Sequence, residues 1–200
     1  MKKIYNIGDY IIYGKRGICV VKDIGYPELM SVHELLSIDN AQLYYTLVPV
    51  YTTETIYTPV DTSIFMRAAI NYDEAINLIQ QIPTIENTMD TALDISTKEL
   101  PFFYNSLIDT HDCKDLVRLI IMVYAKTQKA VQEKKKLGQI DQNFMRDAED
   151  ILYGELSIAL GISKERVPVF IEEMIKTQDC GNLIHKHDFR NDFVSEADHT

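Results

Sequence analysis

Ile4-Tyr5-Asn6-Ile7-Gly8-Asp9-Tyr10-Ile11-Ile12-Tyr13-Gly14-Lys15-Arg16-Gly17-Ile18-Cys19-Val20-Val21 is the stretch that decides the fold. Gly8-Asp9 is a turn signal, and residues 10–13 form a β-branched and aromatic run. Residues 14–17 begin and end on glycine and reverse the chain into a second apolar run, 18–24. Further out, residues 44–51 and 55–60 read as two more strands. Beyond residue 70 the patterning changes from period 2 to period 3.6, so a short β-rich unit precedes a longer helical one.

Strands this short cannot each bury a face alone. The expected fold class is therefore α+β, with a small SH3- or Tudor-like β-barrel followed by a compact all-α domain. The expected divisions are residues 1–70 for the barrel and 71–176 for the helical domain, with 83–96 as a loop. Residues 177–200 read as an acidic tail with partial disorder. Such barrels generally recognise partners and do no chemistry.

Charge distribution supports the same division. The net charge of −10 argues at first against a nucleic-acid partner. The surplus acid is local, however. Residues 71–100 carry 1 basic and 6 acidic side chains, and the tail from 177 carries 2 and 5. Residues 1–70 carry 6 and 7, and residues 101–176 carry 11 and 12, so basic faces remain open to both units. No apolar run is long enough to span a bilayer, and Met1-Lys2-Lys3 leads into a strand signal, not a secretory core. Cys19, Cys113 and Cys180 are odd in number and scattered, which fits reduced thiols and a cytoplasmic location.

In the helical part, Tyr72, Ala75, Ile76, Ile79 and Ile82 keep helical spacing, and Pro83 is expected to end that helix. A second stripe runs through Leu100, Phe103, Tyr104, Leu107 and Ile108. Asp112 is the expected N-cap of a helix whose buried side carries Leu116, Ile120, Val123, Ala130 and Val131, with Gly138 as its stop. Asp141 is expected to cap the next helix, whose stripe is Phe144, Ala148, Ile151, Leu152, Leu156 and Ala159, with Gly161 after it. A last helix carries Val167, Phe170, Ile171, Met174 and Ile175, with Pro168 in its first turn.

Candidate catalytic groups are few. His111-Asp112-Cys113 superficially joins a nucleophile and a base, but consecutive residues at a helix start point in different directions, so capping is the better reading. Cys180, His185, His187 and His199 match no familiar zinc spacing and lie in a polar tail. Glu149-Asp150 and Glu172-Glu173 fall on exposed helix faces by their phase. There is no glycine-rich phosphate loop. No catalytic residue, metal site, cofactor or small-molecule substrate is therefore expected.

A basic cluster stands out instead. At 100° per residue, Lys126, Lys129 and Lys136 fall opposite the Leu116–Ile120–Val123–Val131 stripe. Such a face meets DNA phosphates through charge alone, independently of sequence. It also reads as an ordinary solvated face, with Glu133 in its midst.

The order of these motifs resembles the CarD/CdnL family of bacterial transcription regulators, whose N-terminal module is shared with transcription-repair coupling factors. The residues that carry the resemblance are Ile7-Gly8-Asp9, Ile11-Ile12-Tyr13, Arg16-Gly17, Tyr44-Tyr45-Thr46-Leu47-Val48, Tyr57-Thr58-Pro59-Val60 and Met66-Arg67. It continues through Thr110-His111-Asp112, where relatives often have Ser-Gly-Asp, and through residues 148–156, covering residues 1–176.

That resemblance implies a barrel that binds the β subunit of bacterial RNA polymerase, partly by adding an edge strand made of Thr55, Ile56, Tyr57, Thr58 and Pro59. It also implies a helical domain on promoter DNA near the upstream edge of the transcription bubble, changing the stability of the open complex. Two departures qualify it. Relatives wedge a Trp into the minor groove, and this chain has none. The equivalent position falls near Thr97 or Lys98, with Phe102 and Phe103 the nearest aromatics. Where some relatives dock with an Arg two residues before the strand-ending Pro, this chain has Tyr57. The alternative is an adaptor that docks on polymerase while its helical domain binds another protein and not DNA.

Overall fold

The computed structural model describes residues 5–26, 43–88 and 95–188, with the side chains of the last helix described as far as Thr177. Five strands come first: β1 (Tyr10–Tyr13), β2 (Ile18–Gly25), β3 (Tyr44–Pro49), β4 (Ile56–Pro59) and β5 (Met66–Ala68). They form one antiparallel sheet in the order β4-β3-β2-β1-β5. The three-residue β5 has no apolar alternation of its own and was not expected. It forms because Ala68, Arg67 and Met66 fall opposite Ile11, Ile12 and Tyr13.

One sheet face buries Tyr5, Ile11, Tyr13, Cys19, Val21, Tyr45 and Leu47 as a core of its own. Two hydroxyls tie it across strands. Tyr5 N donates to Tyr45 Oη at 3.1 Å, and Tyr13 Oη donates to Thr58 Oγ1 at 3.1 Å. Among the described residues β4 and β5 do not pair, so the sheet is open and the expected barrel is not closed by hydrogen bonds.

Five helices follow: α1 (Tyr72–Thr88), α2 (Leu100–Ile108), α3 (Cys113–Gln132), α4 (Gln139–Leu160) and α5 (Val167–Asp188). Their shared core holds Leu78, Leu100, Tyr104, Leu116, Leu119, Val123, Leu152 and Leu156, among others. Asp112 caps α3 as expected, its Oδ1 accepting from Lys114 N at 2.8 Å. Gly161 follows α4 at φ 66°, a left-handed angle that a side chain would oppose, and Ile162 N closes the turn onto Ser157 O at 3.1 Å.

Several boundaries differ from expectation. α1 runs through Pro83 to Thr88, so the expected 83–96 loop is helical in its first six residues. The missing N–H costs one helical bond, but Ile85, beyond the expected end, packs into the core and offsets it. α3 stops at Gln132, not at Gly138. Lys134 takes the left-handed angle (φ 55°), and Lys135 N and Lys134 N bond back to Ala130 O and Val131 O at 2.8 and 3.1 Å. That is the usual glycine-type helix stop, built here on a lysine. Val131 is consequently exposed, not part of the buried stripe.

Gly138, not Asp141, is the N-cap of α4. Residues 177–188 belong to α5, so the expected disordered tail is helical in its first half. Residues 189–200 and the side chains of Cys180, His185 and His187 lie outside the described residues, as does His199.

Candidate functional site

Among the described residues β4 is an edge strand, and its register decides what it offers a partner. Val60 N donates to Leu43 O at 2.9 Å, so residues 60 and 43 occupy a hydrogen-bonded position of the ladder. With Tyr45 opposite Thr58 and Leu47 opposite Ile56, alternation makes those pairs hydrogen-bonded too. The N–H groups of Ile56 and Thr58 therefore point inward to β3. Tyr57 N–H points outward, and Pro59 has none. Thr55 is exposed, Ile56, Tyr57 and Pro59 are half-buried, and Thr58 is buried against Tyr13. Of the five residues that the resemblance singled out, Ile56 to Pro59 form this edge strand and Thr55 precedes it, and the outward donor within the strand is that of Tyr57.

The basic cluster is not one face. Lys126 points inward, where its Nζ lies 3.0 Å from Asp141 Oδ1 and 2.9 Å from Tyr104 Oη, 5.3 Å above the Tyr104 ring. Placing Lys126 opposite the buried side is thus corrected: α3 buries Cys113, Leu116, Val117, Leu119, Met122 and Val123, and α2 and α4 cover the side that carries Lys126. Lys129 is exposed in the last turn of α3. Lys136 is exposed beyond the helix end, so helical phase does not govern it. Thr97 and Lys98 are exposed in the turn before α2, and Phe102 follows one turn later at 80% exposure. Phe103 is half-buried against the helical core.

Sequence reading missed a second site, where sheet and helices meet. Arg67 of β5 makes a two-pronged ion pair with Glu155 of α4, whose side chain is 0% exposed. Burial alone would lower the Arg67 pKa, but hydrogen bonding and the charge of Glu155 outweigh it and raise it. Beside them Cys113 Sγ donates to Glu155 Oε2 at 3.2 Å. Burial, and then the charge of Glu155, push the Cys113 thiol well above its ordinary value. Burial pushes Cys19 up to about 11. Both thiols are therefore poor nucleophiles. A signal did exist: Glu155 lies in phase with Ile151, Leu152 and Ala159, and a carboxylate in an apolar stripe needs a buried partner.

A groove of about 490 Å³ opens beside this cluster, between β5, α1 and the α2–α3 turn. Phe65 and Ile70 line it together with His111, whose ring centroid is 4.2 Å from that of Phe65. Among the described residues no group of three His, Cys, Asp or Glu side chains is placed to hold a metal ion, and no helix is long and apolar enough to cross a membrane.

The family model of the CarD-like/TRCF RID domain matches residues 5–69. No curated protein matches the chain. The match spans all five strands and stops just before α1, so the helical unit lies outside it. The matched family is transcription-related and interacts with RNA polymerase. Residues 5–69, which among the described residues form an open five-stranded sheet with β4 at one edge, are thus similar to the CarD-like/TRCF RID domain.

Proposed function

We propose that this protein is a bacterial transcription regulator that docks on the polymerase β subunit through β4 and sets its helical unit against promoter DNA. It acts in the cytoplasm by binding, without a cofactor and without catalysis, and modulates the stability of the open complex. The free β4 edge in a matched polymerase-interacting domain supports this reading most directly. An edge strand recruits a partner strand through main-chain bonds, which depend little on side-chain identity. Lys98, Lys129, Lys136 and Phe102 are exposed on the helical side and supply charge and an aromatic for DNA.

Tyr57→Pro is the discriminating variant. It removes the outward N–H while leaving the β3 ladder complete, so the full chain should fold normally and lose affinity for the isolated β lobe. Thr58→Pro removes an inward donor and should destabilise the sheet instead. Normal lobe affinity of a folded Tyr57→Pro chain would end the strand-addition reading.

The adaptor reading draws on a separate observation. Lys126 is withdrawn from solvent, while Tyr124 and Val131, seven residues apart on one side of α3, are 53% and 66% exposed. Salt dependence separates the two. Phosphate contacts make DNA affinity fall steeply with salt, whereas an adaptor's helical unit would show little DNA binding at any salt.

A further inference from the structure

Arg67 has no donor left for a ligand. Its Nε donates to His111 O at 2.9 Å and its Nη1 to Ala68 O at 3.1 Å and to Glu155 Oε1. Its Nη2 donates to Glu155 Oε2 at 2.8 Å and to Cys113 Sγ at 3.5 Å. Those are all the N–H groups a guanidinium possesses. Glu155 accepts in addition from Ile70 N at 2.9 Å and from the Cys113 thiol. One ion pair thus joins β5, the connection to α1, the start of α3 and the middle of α4.

Further contacts join the two units at a distance from it. Tyr51 Oη hydrogen-bonds to Ser157 Oγ. Beneath the Tyr51 ring, α4 carries Gly154, where an added Cβ would lie 3.3 Å from Tyr51 Cε2 and 3.5 Å from Ile18 Cγ2. Glycine inside a helix is unfavourable, and here it lets the sheet approach the helix backbone. Lys15 reaches Asp109 at 2.9 Å and Asn105 Oδ1 at 3.1 Å, but both ends of that ion pair are exposed and water screens it.

We infer that the Arg67–Glu155 cluster fixes the orientation of the sheet relative to the helical unit, so that the two act as a rigid bracket. A buried ion pair is weak evidence for stability, since apolar residues of similar volume often serve as well. Its directional bonds distinguish one docking angle from its neighbours, which apolar packing does poorly. Only three residues, 69–71, separate β5 from α1, and they leave little slack once Arg67 is held. The functional consequence rests on the reading above: a sheet docked on polymerase would carry Lys98 and Phe102 to one place and no other.

Residual dipolar couplings on the full-length chain test the bracket. In the unaltered protein, one alignment tensor should fit amides of β1–β5 and α1–α4 together. Arg67→Met combined with Glu155→Leu removes both charges and keeps the volume. It should remain folded but require two tensors of different magnitude. Its affinity for the isolated β lobe should persist while its effect on open-complex lifetime is lost. Arg67→Lys keeps the charge pair and gives up the fork, so it tests the same point if the double variant does not fold. A single tensor of unchanged magnitude in a folded variant, or two tensors in the unaltered protein, would overturn the bracket. Absence of lobe binding by the unaltered protein would instead overturn the polymerase reading, and the tensors would still decide the bracket.

Discussion

Lys126 of α3 and Asp141 of α4 are joined at 3.0 Å, with side-chain exposures of 28% and 11%, and Tyr104 of α2 donates to the same carboxylate oxygen at 2.6 Å. Three helices thus meet at one carboxylate. The lysine that would otherwise lengthen a basic face is half-buried and turned towards that carboxylate.

Replacing Lys126 should therefore act on stability before it acts on binding. Lys126→Ala leaves Asp141 with one partner in a largely buried site and should cost about 1–3 kcal/mol. The loss should stay below that of a fully buried pair, because Lys126 keeps some contact with water. Lys129→Ala, on the exposed side, should change stability by less than about 0.5 kcal/mol. Urea denaturation of both variants checks the contrast, and equal effects would contradict the inward placement.

The neighbouring phenylalanines should separate in the same way. Phe102→Ala should leave the folding midpoint nearly unchanged and reduce promoter-complex lifetime if this residue meets DNA. Phe103→Ala should destabilise the helical unit by roughly 2 kcal/mol, less than the 3–5 of a fully buried ring. Thermal melts with open-complex lifetimes measured beside them read both outcomes.

Alkaline stability follows from the buried protonated groups. Burial, then the hydrogen bond to Asp141 and its charge, raise Tyr104 above its ordinary 10.0, and burial and Glu155 raise Cys113 above 9.0. A group with a raised folded-state pKa binds its proton more tightly when folded. Its contribution is fully present below the unfolded value and is lost as pH rises towards the folded one. Stability should hold up to pH 9 and fall beyond it. Tyr104→Phe should start less stable but decline less steeply above pH 10, as urea midpoints across that range would show.

Pro83 offers a simple test of α1. Pro83→Ala restores an N–H four residues after Ile79 and should stabilise the chain by about 1–3 kcal/mol, the upper end being the usual cost of proline inside a helix. A lower melting temperature would show that the proline ring packs usefully where it lies half-buried.

The local chemistry of the chain was enough to place β1–β4, the caps at Asp112 and Gly161, and the stripes of α2 and α4. Each depends on neighbours within a turn or a strand. What it could not place depends on partners far along the chain. β5 exists because β1 offers it an edge, and α1 passes Pro83 because Ile85 has a core to enter. Lys134 ends α3 in a conformation normally left to glycine. For the candidate site, the family resemblance pointed to β4, but only the ladder register showed that Tyr57, and not Ile56 or Thr58, turns its N–H outward. The same limit applied to charge. Helical phase set Lys126 opposite one apolar stripe, yet a helix packed between two others has more than one buried side. Arg67 and Glu155, 88 residues apart, meet only once sheet and helices have docked, because only there is each desolvated enough to require the other.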